Sequence, residues 1–131
     1  MSADERLSRD RRIRKRKVFL RVQGSGRKYR SDHFLLAVSA RLPLKSQSQL
    51  AVRDSRLGIT VTTKVHKRAV VRNKLKRRVR EYIRRVRPGF TSAVDLVVIA
   101  RDGATGLSFE QLTQELQLLL RKARLLEATT S

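Results

Sequence analysis

Four short stretches of the chain have the hydrophobic pattern of β-strands. Residues 56–62 alternate between apolar and small or polar side chains, which predicts a half-buried strand whose outer face has room for a partner. Residues 33–40 and 95–100 are nearly continuous apolar runs of strand length, which predicts buried strands. Residues 27–31 are a shorter candidate for extended chain, and the polar stretch from 41 to 55 is expected to be a loop.

Three other stretches predict helices. In residues 66–86 the apolar side chains recur every three or four positions, and Pro88 with Gly89 ends the pattern. A last helix begins at Ser108, whose spacing from Gln111 is typical of a capping box. A shorter helix is predicted over residues 12–23, ahead of two glycines. The predicted order is therefore helix, two or three strands, helix, strand, helix.

The chain is expected to fold as one domain. Its 131 residues are enough for one modest core, which we expect to span residues 12–125 between flexible tails at residues 1–11 and 126–131. The sequence has no cysteine, which excludes disulfides, thiolate metal sites and a thiol nucleophile. It has neither a signal-like N-terminus nor an apolar run of the ~20 residues that span a bilayer, so we expect a soluble, cytoplasmic protein without a membrane partner.

The charge of the chain narrows the range of partners that it can have. The formal net charge is +21 and the sequence pI is about 11.8, so the chain repels itself unless a polyanion is nearby. Nucleic acid, an anionic membrane surface and an acidic protein all meet that need. A hydrophobic content of 40% argues against a disordered basic tail, because such tails lack the material for a core.

Much of the positive charge is concentrated in residues 64–87, where Glu81 is the only acid. On a helical wheel, the side chains nearly opposite the apolar stripe are Asn73, Arg77, Arg80 and Arg84, with Lys76 and Arg72 on the flank. Such a run of charges is most often only a solvent-exposed helix face. A face of that kind, however, normally mixes positive and negative side chains. Uncompensated cations this close repel one another unless phosphates neutralise them, and arginine favours bidentate phosphate contacts. We therefore interpret this face as a nucleic-acid surface.

Catalysis by the chain itself has little support in the sequence. His33 and His66 are far apart along the chain and are better interpreted as surface or RNA-contacting residues than as catalytic bases. No His, Asp or Glu cluster has metal-ligand spacing, so neither a catalytic residue nor a protein metal site is expected. Phe19 and Tyr29 lie among Arg and Lys, where an aromatic ring can stack on an unpaired base. Phe19 can equally anchor the first helix to the sheet.

A resemblance to the bacterial ribonuclease P protein component is carried by the run Ala69-Val70-Val71-Arg72-Asn73-x-x-Lys76-Arg77-x-x-Arg80-Glu81, which is similar to that family's signature helix. The strand from Arg56 to Val61, Lys64 after it, and the upstream pattern Phe19-x-x-Val22-x-x-x-Gly26 resemble the family as well. The similarity extends in the family's order over about residues 12–125. Val18 and Gln23 depart from the family, which often has an acid before that phenylalanine and a second aromatic four residues after it.

The resemblance implies an α+β fold: a single-domain sandwich of a small mixed sheet and helices in the order α-β-β-β-α-β-α, like domain 2 of a small-subunit ribosomal protein, with a left-handed βαβ crossover. It also implies that a large catalytic RNA performs the hydrolysis, with Mg²⁺ bound mainly through that RNA. By match, the residues that would contact the ribonuclease P RNA are Arg68, Arg72, Asn73, Lys76, Arg77 and Arg80. The residues expected to receive the 5′ leader of precursor tRNA, in a cleft between the sheet and the first helix, are Phe19, Tyr29, Thr60 and Lys64.

Three other functions fit parts of the pattern. A ribosomal-type protein that only folds RNA shares the fold and the charge, but would not discriminate leader-bearing tRNA. A DNA-binding module would place helix 66–86 in the major groove and prefer duplex DNA. A protein-only nuclease would cleave without RNA, which the missing acid cluster disfavours. No small-molecule substrate is expected for the tRNA-processing enzyme.

Overall fold

A four-stranded mixed sheet forms the centre of the fold. The structure, a computed structural model, describes residues 26–40 and 55–126, together with Val22 and Gly24. The strands are β1 (Arg27–Arg30), β2 (Phe34–Ala40), β3 (Arg56–Thr60) and β4 (Val94–Ala100), in the sheet order β1-β2-β4-β3. Strand β2 runs antiparallel to both β1 and β4, whereas β3 is parallel to β4.

Helix α1 (Ala69–Val86) connects β3 to the parallel β4, which confirms the predicted strand–helix–strand unit. It begins three residues later than the pattern suggested, because the chain first makes a turn in which the amides of Val65 and His66 donate to the Thr62 carbonyl at 3.0 and 3.4 Å. A 3₁₀ turn at Arg87–Gly89 ends the helix at the predicted proline. The handedness of the crossover stays a prediction.

Helix α2 (Phe109–Lys122) begins where the sequence predicted. The Ser108 hydroxyl accepts a hydrogen bond from the Gln111 amide (3.1 Å), and the Gln111 side chain accepts one from the Ser108 amide (2.9 Å), so the capping box is confirmed. In the part of the chain that the structure describes, neither α1 nor α2 is long and apolar enough to cross a membrane.

Several predicted segments lie outside the described residues. They are the tails at 1–11 and 126–131 apart from Leu126, the loop at 41–55 apart from Ser55, and the helix at 12–23 apart from Val22. Val22 and Gly24 have helical backbone, which agrees with a helix that ends at the glycines.

The main core lies on one face of the sheet, under both helices. Phe34, Leu36, Leu96 and Val98 of the central strands are at most 1% exposed. The helix residues buried against them are Leu75, Val79, Tyr82 and Ile83 of α1 and Leu112, Leu116, Leu119 and Leu120 of α2. On the opposite face, Val22 packs against two residues of the central strands, Ala37 and Val97. Burial on both faces explains why β2 and β4 are continuous apolar runs, and the chain has the predicted α+β fold.

A partly buried carboxylate ties α2 to the turn between β1 and β2. Glu115 Oε2 accepts hydrogen bonds from the Ser31 hydroxyl and from the His33 amide (2.7 Å), and Oε1 lies 2.9 Å from His33 Nδ1. Burial alone would raise the pKa of Glu115, but the bonds from Ser31 and His33 outweigh it and hold that pKa below its ordinary value. The ionised carboxylate therefore stabilises the position of α2 on the sheet.

We expect Glu115→Gln to lower the free energy of unfolding by about 1–2 kcal/mol at neutral pH, because hydrogen bonds to a charged acceptor are replaced by weaker neutral ones. Since the folded-state pKa of Glu115 is lowered, this stabilisation is complete above the pKa of an unfolded glutamate and is lost as the pH falls through the folded-state value. Urea denaturation across the acid range measures both effects. Asp102→Asn, at an exposed turn carboxylate, is the control; equal pH profiles for Glu115→Gln and wild type would contradict the assignment.

Candidate nucleic-acid interface

Helix α1 carries uncompensated cations on the side turned away from the core. Asn73 and Arg77 are exposed, and Lys76 is half-buried on the flank. Among the described residues, no carboxylate forms an ion pair with Lys76 or Arg77. We call this surface, with Arg80 half-buried beside it, the α1 cationic face. Its Lys76 and Arg77 remain available to an external anion.

The last turns of α1 are different, because part of their positive charge is offset within the helix. Glu81 forms ion pairs with Arg84 (2.7 Å) and Arg85 (3.1 Å). These pairs, chiefly the hydrogen bond from Arg84, hold the pKa of Glu81 below its ordinary value. The sequence pattern predicted that Arg84 shares an exposed stripe with Arg77. In the structure the two differ, because Arg84 pairs with Glu81 whereas Arg77 forms no ion pair with a described carboxylate.

The start of α1 adds further positive charge. Arg68 is the N-cap residue, it is exposed, and its side chain does not cap the helix. The first turn contains no acid, although its amides lack intrahelical partners and carry the positive end of the helix dipole. Arg72 Nη1 donates to the carbonyls of His66 (2.9 Å) and Lys67 (2.7 Å), which fixes its guanidinium against the preceding turn. This end of the helix is suited to a phosphate group.

Strand β3 brings two more predicted site residues towards this helix start. Thr60 is the last residue of β3, and Lys64 is exposed in the turn that leads to α1. Thr60, Lys64, Arg68 and Arg72 therefore lie along one continuous stretch from the sheet to the first turn of α1. The sequence had assigned Thr60 and Lys64 to the leader and Arg68 and Arg72 to the catalytic RNA, and these contacts with RNA stay predictions.

The sheet face opposite the main core is partly exposed at the same end. One row of register partners crosses all four strands there: Arg30, Leu35, Ile99 and Thr60. Arg30 is exposed and the other three are half-buried, whereas the neighbouring row is covered by Val22. This open row has an apolar floor between a cation and a hydroxyl, so it can hold an extended strand with bases against the floor and a phosphate near Arg30.

Tyr29 is not part of the open row. Its register partner is Leu36 of the main core, and Tyr29 packs half-buried against that core. Register partners share a face of the sheet, so Tyr29 and Thr60 lie on opposite faces. The structure therefore does not place Tyr29 in the predicted cleft with Thr60, and Phe19 lies outside the described residues.

Sequence reasoning missed Arg30, Leu35 and Ile99 as site candidates. Leu35 and Ile99 belong to continuous apolar runs, in which no alternation shows which side chains face which side. Only the strand register brings them beside Thr60. Arg30 carried a weak signal, since it lies in a basic stretch next to Tyr29, but the pattern drew attention to the aromatic ring.

The described carboxylates do not form a metal site. In residues 26–40 and 55–126, no group of three or more His, Asp or Glu side chains could hold an ion. Asp95 is instead fully buried and accepts two 2.8 Å hydrogen bonds from Arg56, which raise the pKa of that guanidinium. Glu81 pairs with Arg84 and Arg85, and Glu115 accepts hydrogen bonds from Ser31 and His33. These residues do not fit the Mg²⁺ ion that the family resemblance implies.

Comparison with known proteins supports the fold and identifies the family. A sequence model of the family described as Ribonuclease P matches residues 7–124. The ribonuclease P protein component of Cyanothece sp. is 37% identical over 92% of this chain and 97% of that protein, and that of Gluconacetobacter diazotrophicus is 43% identical over 86% and 90%. The structure of the Staphylococcus aureus protein is similar with a TM-score of 0.74 and 29% identity, covering 89% of this chain and 98% of that one.

A close backbone approach at Gly26 holds Val22 over the sheet. The Gly26 amide donates to the Val22 carbonyl at 3.0 Å. A Cβ at Gly26 would lie 2.5 Å from the carbonyl oxygen of Val22 and 2.8 Å from that of Val38, so one backbone segment would have to move. Gly26 therefore sets where the preceding segment crosses the sheet.

We expect Gly26→Ala to lower the free energy of unfolding by about 1–3 kcal/mol, the usual scale of overpacking. Gly24→Ala is the matched control, since a Cβ at Gly24 meets nothing within 4 Å and alanine favours the helical backbone seen there. Chemical denaturation of both variants measures the difference. If the two substitutions had equal effects, the close approach at Gly26 would not be what fixes Val22.

Proposed function

Because this chain belongs to the ribonuclease P protein family, we propose that it is the protein subunit of a ribonuclease P holoenzyme and assists removal of the 5′ leader from precursor tRNA. In this proposal a separate RNA performs the hydrolysis, and that RNA holds the Mg²⁺. The chain binds and positions the two RNAs. Such an enzyme meets its substrate in the cytoplasm, which we propose as the chain's location.

The observation that carries the proposal is that Lys76 and Arg77 of the α1 cationic face form no ion pair with a described carboxylate. Asn73, Lys76 and Arg77 lie outside the ion pairs at the end of the helix, and Arg68 extends the surface to a helix start without acids. Cations that contact phosphates release condensed counterions, which supplies most of the affinity for a folded RNA. We assign this face, with Arg72 and Arg80, to the catalytic RNA.

The open row is the surface that we assign to the 5′ leader. Its half-buried floor accepts bases of an extended strand, and Thr60 and Arg30 offer a hydroxyl and a cation at its two ends. Lys64 is exposed just beyond Thr60 and is our candidate for a leader phosphate. Phe19 remains a proposed stacking residue of the same cleft. Mature tRNA lacks a leader and cannot make these contacts, so they favour the precursor.

Reconstitution tests the proposal directly. Adding the full chain to a bacterial ribonuclease P RNA at low Mg²⁺ should restore 5′ processing of precursor tRNA, because the cationic surface offsets the repulsion between two RNAs. Lys76→Ala combined with Arg77→Ala should weaken binding to the RNA and reduce the slope of log affinity against log salt by about 2. Activity and affinity across a salt series are the measurements.

The matched control for that double variant is Arg84→Ala combined with Arg85→Ala, which also removes two charges from α1. Its salt slope should change less, because Glu81 already engages those arginines in ion pairs. Equal changes in slope would show that only net charge matters. Cleavage by the purified chain without RNA would contradict the assignment of hydrolysis to the RNA, and binding without any gain in processing would indicate a ribosomal-type structural role.

A second test addresses the leader. We expect Arg30→Gln to weaken binding of precursor tRNA to the holoenzyme by roughly three- to tenfold, the scale of one phosphate contact, without affecting mature tRNA. Lys28→Gln is the control, because Lys28 is exposed on the same strand and face but in the row that Val22 covers. Equilibrium binding of both tRNA forms measures the ratio. Equal losses for the two forms would rule out a leader contact at Arg30.

A further inference from the structure

A polar groove of about 490 Å³ lies between the sheet and the segment that follows α2. Its walls include Arg27 and Tyr29 of β1, Ser39 of β2, and Arg124 beyond α2. The hydroxyls of Thr91 and Ser92, just before β4, are on the same wall as Arg124. The volume is within the range of roughly 300–1,000 Å³ that is typical of ligand sites.

This polar groove is separate from both surfaces assigned above. Thr91 and Ser92 follow the 3₁₀ turn that ends α1, so the groove lies at the opposite end of α1 from Arg72. Arg72 and Val86 are 14 positions apart along the helix, which is about 21 Å at the usual helical rise. Arg27 and Tyr29 also lie on the sheet face opposite the open row, because their register partners Val38 and Leu36 belong to the main core side.

The chemistry of the groove matches a nucleotide. Arg27 and Arg124 are exposed, and among the described residues neither forms an ion pair with a carboxylate. A guanidinium binds phosphate with two parallel hydrogen bonds, and the half-buried ring of Tyr29 offers a stacking surface for a base. Hydroxyls nearby can bind a ribose. We propose that this groove binds an unpaired segment of RNA.

The backbone at Arg124 supports a role for its side chain. Arg124 has φ +61°, the left-handed conformation that glycine ordinarily takes after a helix. The Leu125 amide donates to the Leu120 carbonyl at 2.9 Å, and the Thr91 hydroxyl donates to the Arg124 carbonyl at 2.8 Å, which together hold that conformation. A glycine would be more stable at this position, yet an arginine that faces the groove stands there. Such local strain is characteristic of functional positions.

Binding of a 5′-phosphorylated uridine tetranucleotide to the full chain, followed by fluorescence anisotropy, tests the groove. Arg124→Gly should weaken binding roughly three- to tenfold, the scale of one charge-assisted phosphate contact, while the thermal midpoint stays equal or rises. Arg27→Gln should weaken binding similarly. Lys122→Gln is the control, since Lys122 is exposed two residues away but does not line the groove. Equal losses for Arg124→Gly and Lys122→Gln would overturn the proposal.

Unpaired segments of the catalytic RNA and of precursor tRNA offer the same chemistry. Binding measurements on the holoenzyme and on its RNA tell these two sources apart. If Arg124→Gly weakens binding to ribonuclease P RNA alone, the segment belongs to that RNA; if it weakens only precursor binding, the segment belongs to the substrate. Either result supports RNA binding in the groove. If neither binding is weakened, the proposal is overturned. The tetranucleotide assay contains no catalytic RNA, so its outcome is independent of the proposed role in leader removal.

Discussion

Burial of the central strand pair on both faces is the constraint on which the rest of this structure depends. Strands β2 and β4 are apolar on either side, so each face must be covered. Helices α1 and α2 cover most of one face, whereas among the described residues Val22 covers the middle row of the other. The open row lies beside the residues that Val22 covers, and its Leu35, Ile99 and Thr60 are half-buried. The leader site that we propose there is therefore a consequence of how the core is closed.

Three acids of this basic chain, Glu81, Asp95 and Glu115, stabilise the scaffold. Asp95 accepts two hydrogen bonds from Arg56 and ties the edge strand β3 to β4 at a fully buried position. Removing one partner of such a pair commonly costs about 3–5 kcal/mol, because the other charge stays buried. Glu115 fixes α2 to the β1–β2 turn, and Glu81 pairs with Arg84 and Arg85 at the end of α1. Lys76 and Arg77 are left for an external polyanion.

The periodic features of the sequence predicted the elements well, because each is encoded locally. The stripe of α1, the capping box at Ser108 and the apolar runs of β2 and β4 all depend on neighbours a few residues apart. The face of the sheet on which Tyr29 lies depends on strand register, and the ion-pair partner of Arg84 depends on side-chain rotamers. Neither is visible as a periodic pattern in a single sequence. The family resemblance supplied the α1 residues, but the open row and the polar groove needed the sheet to be assembled.

The spacing of the three surfaces follows from the rigidity of α1. Four buried side chains hold this helix against the sheet, so its two ends keep a fixed separation. The helix start, with Arg68 and Arg72, faces the same end of the molecule as the open row, whereas the polar groove lies beyond the helix end. A folded RNA bound along α1 could therefore reach both ends at once, and it would bind more tightly than either end alone because the second contact is intramolecular. In such an arrangement the core contributes to RNA recognition through geometry, without contacting any nucleotide.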